Sequence, residues 1–238
     1  MTPVLILTRP APQAEAFAAE IAARWAGAVR IILSPLLRII PEPVLADLAG
    51  VRGVIFTSGH GVAASGTTNL PRGLPAWCVG EKTAQLALEA GFDAIAGPGD
   101  ATRLAEKIIS RRPEGPLAHL RGYHTRGGIA EKLTAAAIPC VDVVAYDQVA
   151  QALSAEAFDA LQGNAPVILP LFSPRTATIL GEQGPFSAPV HLIVISTAVQ
   201  GAAAAIGVKS LSVAAMPDAD AMIGATLKRL GTVAERHM

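Results

Sequence analysis

Residues 53–62 read GVIFTSGHGV, and this stretch decides the fold. The run Gly53–Phe56 is short and apolar, which predicts a buried strand in a sheet covered on both faces. The hydroxyls of Thr57 and Ser58 follow at once, and such residues are typical of helix starts. A strand that leads directly into a helix is the building unit of a parallel α/β sheet.

The same alternation of short strands and longer helices extends along all 238 residues. The predicted strands are Val4–Leu7, Val29–Leu33, Gly53–Phe56, Ala76–Val79, Ala94–Ala96, Leu117–Leu120, Val141–Tyr146, Val167–Leu169, Val190–Ile195 and Leu211–Ala214. Helices of about 10–15 residues between them imply parallel pairing. The predicted fold class is therefore α/β, with doubly wound parallel sheets of flavodoxin-like or Rossmann-like type.

An internal repeat appears when the sequence is aligned with itself at an offset of 116 residues. This offset pairs Phe56–Ser58 with Phe172–Pro174, Gly80 with Ser196, and Gly91 with Gly207. Each landmark ends a predicted strand or helix, so the coincidence predicts two similar α/β units. A looser match pairs Leu7–Arg9 with Leu120–Gly122.

Two segments continue as extended chain without a good helix, namely Pro35–Pro43 and Tyr146–Leu153. Both are interpreted as connectors between domains. The prediction is a discontinuous first α/β domain formed by 1–36 and 149–238, a second formed by 38–147, and a two-strand linker that joins them.

Acidic and basic residues balance at 19 each, so the formal net charge is zero. No global field attracts nucleic acid or an anionic membrane, and we expect neither as a partner. The span Gln183–Val208 has no charged side chain, but Pro185 and Pro189 divide it, which argues against a transmembrane helix. We expect a monomer that binds a small molecule.

Cys78 and Cys140 lie far apart and lack the spacing of a zinc site or a disulfide framework. They are interpreted as reduced core residues, and the histidines show no paired ligand spacing, so no metal is expected. The apolar N-terminal stretch has no basic segment before it, as a signal peptide would. We therefore expect a cytoplasmic protein.

Ligands of parallel sheets bind beyond the carboxyl ends of the strands, where helices present free N–H groups. The binding candidates at these positions are Thr57, Ser58, Gly61, Gly80, Thr83, Ser173, Ser196 and Thr197. Arg9 and Arg121 end matching strands and are candidates for binding an anion. Tyr146 ends another strand, either as a packing residue or as a hydroxyl that donates a proton.

Two other functions fit the same residues. Gly59, Gly61 and Ala64 follow a strand in the pattern G-x-G-x-x-A, and Glu81 stands about twenty residues on, as in an NAD(P)-dependent oxidoreductase. Thr57 and Ser58 separate the strand from the first glycine, which weakens this hypothesis. A two-domain protein that binds a carboxylated ligand without catalysis is the second alternative.

Several strand-end motifs together resemble the uroporphyrinogen-III synthase family. The resemblance covers essentially the whole chain and rests on Leu7–Pro10, Phe56–Ser58 with Gly61 and Val62, Val79–Gly80 with Thr83, Ala84 and Gly91, Arg121–Gly122, Val143–Tyr146, and Phe172–Pro174. No single motif is strong, and their order and spacing carry the resemblance. It implies two α/β domains joined by a pair of extended strands.

The resemblance also implies a lyase of tetrapyrrole biosynthesis that needs no cofactor. Such enzymes cyclise the linear tetrapyrrole hydroxymethylbilane, losing the ring A hydroxyl as water and inverting ring D through a spiro intermediate. Tyr146 matches the tyrosine proposed as the family's acid, and Thr83 matches a threonine of its substrate cleft. The chain reads Ser196-Thr197 where the family often has Gly-Pro-Thr-Thr, so Ser196 or Thr197 is expected to replace that threonine.

Overall fold

The computed structural model describes residues 1–124 and 128–235. Its strands are β1 (Val4–Leu7), β2 (Arg30–Leu33), β3 (Leu37–Pro41), β4 (Gly53–Phe56), β5 (Pro75–Cys78), β6 (Asp93–Ala96), β7 (Leu117–Gly122), β8 (Cys140–Ala150), β9 (Val167–Leu171), β10 (Val190–Val194) and β11 (Ser210–Val213). Its helices are α1 (Ala11–Arg24), α2 (Gly59–Ser65), α3 (Glu81–Glu89), α4 (Ala101–Arg111), α5 (Ile129–Ala135), α6 (Ala155–Gln162), α7 (Pro174–Gly181), α8 (Thr197–Ala202) and α9 (Ala219–Glu235).

The chain divides into two compact units. Unit 1 comprises Met1–Arg38 and Ala150–Met238, and unit 2 comprises Ile39–Val149. The chain therefore passes from unit 1 into unit 2 within β3 and returns at the end of β8. The predicted connectors Pro35–Pro43 and Tyr146–Leu153 contain these two crossings.

Unit 1 holds a five-stranded sheet in the order β11-β10-β9-β1-β2. All of its neighbouring strands pair in parallel. Numbered by their order within the unit, these strands run 2-1-3-4-5, which is the flavodoxin order. The carboxyl ends of β1 and β9 form the switch point, where the strand order reverses.

Unit 2 holds a sheet in the order β3-β8-β7-β4-β5-β6. Its strands from β8 to β6 pair in parallel. Matching β7 to β1 and β4 to β9 gives the layout of unit 1 with the chain order permuted, so the switch point of unit 2 lies between β7 and β4. The predicted α/β class with parallel sheets is confirmed.

Both sheets are covered on both faces, because buried side chains alternate along their strands. In unit 1 one core lies against α6, α7 and α8 and the other against α1 and α9. In unit 2 the corresponding cores lie against α2 and α3 and against α4 and α5. This two-sided burial explains why the central strands read as continuous apolar runs.

The structure shifts the register of the internal repeat. Ser58 caps α2 and Ser173 caps α7, so these serines correspond, whereas the offset of 116 paired Ser173 with Thr57. Arg9 continues the face of β1 that packs against α1 and α9, and Arg121 lies on the corresponding face of β7. The correspondence between the two units is set by which serine caps each helix and by which face of each strand a side chain lies on. Matching identical residues at one fixed offset does not reveal either property.

Within the part of the chain that the structure describes, no helix is long and apolar enough to cross a membrane. The uncharged span Gln183–Val208 is divided between β10 and α8. Among the same residues no group of three or more His, Cys, Asp or Glu could hold a metal ion. Both cysteines are free, and burial raises the pKa of Cys78 to about 11 and that of Cys140 to about 12, so both remain thiols.

Candidate functional site

The switch point of unit 2 brings Ser58 and Tyr146 into contact. Ser58 follows β4 and caps α2, and its Oγ accepts a hydrogen bond from the Gly61 amide at 3.3 Å. The same Oγ lies 2.8 Å from the Tyr146 hydroxyl oxygen. A phenol and a serine hydroxyl thus share a hydrogen bond at the carboxyl edge of the sheet, where an open α/β sheet binds its ligands.

A β-bulge turns Tyr146 towards α2. Arg121 pairs with Val144 and Gly122 pairs with Tyr146, so the register skips Ala145. Ala145 and Tyr146 consequently both pack into the core beside α2 and α3. The phenol ring lies over Gly122, where a Cβ would be 2.7 Å from Tyr146 Cε2. Glycine is therefore required at position 122 for this placement of the ring.

His60 also lies beside Tyr146, and the centroids of the imidazole and phenol rings are 5.7 Å apart. Burial lowers the pKa of His60, which favours its neutral form. In the sequence, this histidine stands out only as a member of the motif G-x-G-x-x-A. Its neighbourhood with Tyr146 depends on the turn after β4 and on the bulge in β8, so no local sequence signal indicates it.

A second group of polar side chains lies on the opposite face of the sheet, at the same edge. Thr57 Oγ1 is 3.3 Å from Nε2 of His119, and Nδ1 of His119 is 2.9 Å from Asp142 Oδ1. Nε of Arg121 donates to the other carboxylate oxygen of Asp142. His119 and Asp142 are register partners on β7 and β8. Neither Asp142 nor His119 was predicted as a site residue from the sequence, because only strand pairing brings them together.

The charge of Asp142 is stabilised by this group. Burial by itself raises the pKa of Asp142, but the hydrogen bonds from His119 and Arg121 outweigh burial and hold it below its usual value. Arg121 also donates from Nη1 to the carbonyls of Gly122 and Tyr123, at 3.0 and 3.3 Å. Its guanidinium is thus engaged within unit 2, and its role as a substrate ligand stays a prediction.

The remaining candidates of unit 2 differ in what they offer to a ligand. Gly61 is packed against β7, where a Cβ would be 2.6 Å from the Leu120 carbonyl oxygen. Gly80 is the extended residue before α3. Thr83 is buried in the first turn of α3, and among residues 1–124 and 128–235 its hydroxyl has no hydrogen-bond partner. Binding roles for all three stay predictions.

At the switch point of unit 1, Arg9 follows β1 and lies over the ring of Phe172, with Cζ 4.2 Å from the ring centroid. No acidic side chain of the described residues pairs with this guanidinium. Burial lowers its pKa, which reflects the cost of desolvating an unpaired charge. A half-buried cation held flat by an aromatic ring is suited to bind a carboxylate.

The hydroxyls of unit 1 are N-caps. Ser173 accepts from the Thr176 amide at 3.1 Å and also bonds the Thr176 hydroxyl at 2.8 Å. Ser196 accepts from the Val199 amide at 3.4 Å, while Thr197 is exposed at the start of α8. These residues lie at strand ends as expected, but each serine is occupied by its own helix.

Two units with parallel, flavodoxin-like sheets, each with serines capping the helices that follow its strands, define the protein as a two-unit α/β protein. A family model described as uroporphyrinogen-III synthase HemD matches residues 16–224. The chain belongs to the uroporphyrinogen-III synthase family. Members of this family are cofactor-independent, cyclising, lyase-type enzymes of haem biosynthesis.

Solved structures support the fold. The uroporphyrinogen-III synthetase of Helicobacter pylori is 17% identical, with a TM-score of 0.67 over 96% of this chain and 100% of that one. A mutant uroporphyrinogen III synthase of Thermus thermophilus is 16% identical, with a TM-score of 0.50 over 99% of this chain and 100% of that one. No curated protein matches the chain. None of these findings supports the oxidoreductase or the non-catalytic binding protein.

Proposed function

We propose that this protein cyclises hydroxymethylbilane to uroporphyrinogen III, with Tyr146 as the general acid. The observation that carries the assignment is the hydrogen bond of 2.8 Å between Tyr146 and Ser58, at the switch point of unit 2. The reaction begins when the hydroxyl of ring A leaves as water. Hydroxide is a poor leaving group, so a positioned proton donor accelerates this step, typically by about 10²–10⁴-fold.

The donors and acceptors available at Ser58 and Tyr146 support Tyr146 as the proton donor. One lone pair of Ser58 Oγ accepts from the Gly61 amide, which leaves its hydrogen free to donate to the Tyr146 oxygen. The Tyr146 hydrogen can then be donated to the leaving hydroxyl. Once it is transferred, the hydrogen bond from Ser58 stabilises the phenolate.

The proton balance closes over the full reaction. The C–O bond of ring A breaks, water departs with the Tyr146 proton, and the pyrrole nitrogen supplies the electron pair that forms an azafulvenium cation. Ring D attacks this centre through its substituted carbon to give the spiro intermediate, which fragments and recloses with ring D inverted. The final ring closure releases a proton, and the Tyr146 phenolate takes it back.

Substrate recognition is proposed to rest on local groups, because the chain has no net charge and the bilane carries eight carboxylates. Arg9 binds one carboxylate through a guanidinium already held over Phe172. Contacts with other groups of the substrate, carboxylates or pyrrole rings, are proposed for the remaining predicted ligands Thr57, Ser58, Gly61, Gly80, Thr83, Arg121, Ser173, Ser196 and Thr197. Such binding mainly holds the reacting rings in place, since orientation alone contributes a large part of many rate enhancements.

We further propose that the functional domains are 1–36 with 149–238 and 38–147, with the extended chain that includes β3 and β8 as their two-strand linker.

Free, protonated thiols at Cys78 and Cys140 support a reducing, cytoplasmic setting. The balance of 19 basic and 19 acidic residues supports the absence of a nucleic-acid partner. A monomer is proposed as the active form, and light scattering at assay concentration tests it.

The decisive experiment is incubation with enzymatically made hydroxymethylbilane, followed by separation of the product isomers. We expect type III product from the wild-type protein, and only type I product would contradict the proposal. Tyr146→Phe is expected to lower kcat by about 10²–10⁴-fold while the protein stays folded. The matched control is Tyr123→Phe, since the side chain of Tyr123 is 66% exposed, and it should leave kcat unchanged.

A further inference from the structure

The chemistry assigned to Tyr146 makes no use of three side chains behind the same edge. Thr57, His119 and Asp142, named here the Thr57 triad, are linked by distances of 3.3 and 2.9 Å. His119 is 2% exposed, whereas Thr57 is only partly buried at the end of β4. The triad therefore runs from the interior of unit 2 to a hydroxyl that a ligand can reach.

The position of the proton on His119 follows from Asp142. A carboxylate only accepts hydrogen bonds, and Asp142 is held in its ionised form by His119 and Arg121. Nδ1 of His119 must therefore carry a hydrogen and donate it to Asp142. The protonation of Nδ1, one of the two ring nitrogens of His119, is thereby assigned.

The protonation of the other ring nitrogen, Nε2, is inferred from the net charge of His119, Asp142 and Arg121. Arg121 already neutralises Asp142, so a neutral imidazole leaves the group without net charge, whereas an imidazolium would add a buried positive charge with no counterion of its own. Cys140 supplies no counterion because burial raises its pKa to about 12, and Glu131 on α5 is exposed to solvent. A neutral His119 with its hydrogen on Nδ1 has a lone pair on Nε2, which can accept the hydrogen of the Thr57 hydroxyl 3.3 Å away.

We propose that His119 is a positioning residue that turns Thr57 Oγ1 into a pure hydrogen-bond acceptor, and that this oxygen accepts from a pyrrole N–H of the substrate. With its hydrogen bound by His119, Thr57 cannot donate to a carboxylate. The carboxylates of the bilane are acceptors, and its donors are the pyrrole N–H groups and the ring A hydroxyl. Because the hydroxyl leaves in the first step, only a pyrrole N–H is a donor that is present throughout the reaction. The inference rests on the proposed function and names the substrate group that this site contacts.

The ring concerned is the one that loses its hydroxyl. Thr57 and Ser58 are successive residues at the end of β4, with side chains on opposite faces of the sheet, and Ser58 binds the proposed acid Tyr146. A pyrrole ring that lies across the end of β4 can therefore contact both the acceptor and the acid. When the hydroxyl leaves, positive charge develops on the nitrogen of that pyrrole. A fixed acceptor at its N–H binds the cation more strongly than the neutral substrate, which lowers the barrier and does not merely tighten binding.

The protonation of His119 is measured directly by long-range ¹H–¹⁵N NMR of the imidazole in the wild-type protein at the pH of the assay. We expect a hydrogen on Nδ1 and none on Nε2. A hydrogen on Nε2, in either the other neutral tautomer or the imidazolium, overturns the inference. The measurement needs neither substrate nor activity, so it is independent of the proposed function.

Kinetics test the contact with substrate. Thr57→Val keeps the shape of the side chain and removes the acceptor, and we expect kcat to fall by about 10- to 100-fold with KM changed less than about threefold, as for a hydrogen bond to a charged group. Thr57→Ser keeps the acceptor and is expected to restore kcat to within about threefold. A rise in KM with unchanged kcat would show ordinary ground-state binding and overturn the inference.

Variants at His119 separate positioning from structure. His119→Gln retains a group that can accept from Thr57, whereas His119→Leu does not, and thermal unfolding shows whether each is folded. Among folded variants we expect kcat to fall more for Leu than for Gln, and equal losses would contradict a positioning role. If type III product is never formed, the proposed function fails, while the NMR result still decides the state of the triad.

Discussion

Arg9 and Arg121 occupy corresponding places in the two units, at the ends of β1 and β7 and on corresponding faces, yet their surroundings differ. Arg121 is bound by Asp142 and two backbone carbonyls. Arg9 lies over Phe172 and pairs with no acid of the described residues. The corresponding strand-end cations therefore have different partners, a carboxylate in unit 2 and an aromatic ring in unit 1.

The residues beside the two arginines also differ between unit 1 and unit 2. Thr57 stands in unit 2 where Phe172 stands in unit 1, one residue before the capping serines Ser58 and Ser173. Thr57 belongs to a hydrogen-bonded triad, while Phe172 supports a guanidinium. The same topology therefore places different side chains at its strand ends, and we propose hydroxyl chemistry for unit 2 and anion binding for unit 1. Five substitutions and one pH series test this division.

Gly122→Ala is expected to give the largest effect. A Cβ at this position would lie 2.7 Å from the Tyr146 ring, so the phenol must move away from Ser58. A displacement of about 1 Å can cost about 10²-fold in rate, and we expect kcat to fall by about that factor. The control is Gly224→Ala on α9, where a Cβ meets nothing within 4 Å. A fully active Gly122→Ala protein would show that the position of Tyr146 is unimportant.

Replacing the two arginines tests the comparison itself. Arg9→Ala should raise KM by about 10- to 100-fold, as expected for losing a charged hydrogen bond, with little change in the free energy of unfolding. Arg121→Ala should mainly destabilise the fold, because Asp142 loses a partner. Steady-state kinetics and urea unfolding measure both, with Arg24→Ala as an exposed control. An equal rise in KM for both variants would show that Arg121 binds substrate as well.

The capping serines are expected to contribute equally to stability and unequally to catalysis. Ser58→Ala and Ser173→Ala should each lower the free energy of unfolding by about 1 kcal/mol through loss of an N-cap. Only Ser58→Ala should also lower kcat, by about tenfold, because Ser58 bonds Tyr146. Equal activity in the two variants would contradict the separation of roles between the units.

The smallest effect concerns pH. The pKa of Asp142 is lower in the folded protein than its usual value, so its contribution to stability is present above about pH 4 and is lost as the pH falls through the folded pKa. Because the carboxylate is partly exposed, we expect the contribution to be about 1 kcal/mol or less. Urea unfolding as a function of pH should show a shallower acid slope for Asp142→Asn than for the wild type. Identical slopes would contradict the stabilisation of this charge.

Much of the fold could be predicted because it is encoded locally. The apolar run before Thr57 predicts a central strand, and the structure places β4 at Gly53–Phe56 as expected. The hydroxyl that follows a strand predicts a helix start, and Ser58, Ser173 and Ser196 are all N-caps. Strand β3 at Leu37–Pro41 lies within the segment Pro35–Pro43 that was predicted as an extended connector, but its place beside β8 in the sheet of unit 2 was not predicted.

The candidate site was only partly predictable. Tyr146 could be singled out as one of only two tyrosines, but the prediction that its strand ends there was wrong, because β8 continues to Ala150. Its partner Ser58 is 88 residues away in sequence, and the bulge that turns the phenol towards it follows from the pairing of β7 with β8. His119 and Asp142 have no motif of their own, since their contact exists only in the register of two neighbouring strands.

The sequence by itself determined the α/β class, the doubling of the unit and the placing of hydroxyls at strand ends. Burial periodicity, helix caps and turn residues are local properties that each segment carries on its own. The tertiary structure alone decided that Arg121 pairs with Asp142 while Arg9 lies over Phe172, and that the Thr57 hydroxyl lies beside His119. Those properties depend on partners from distant segments, because hydrogen bonding and charge pairing act over a few ångströms in space, whatever the separation along the chain.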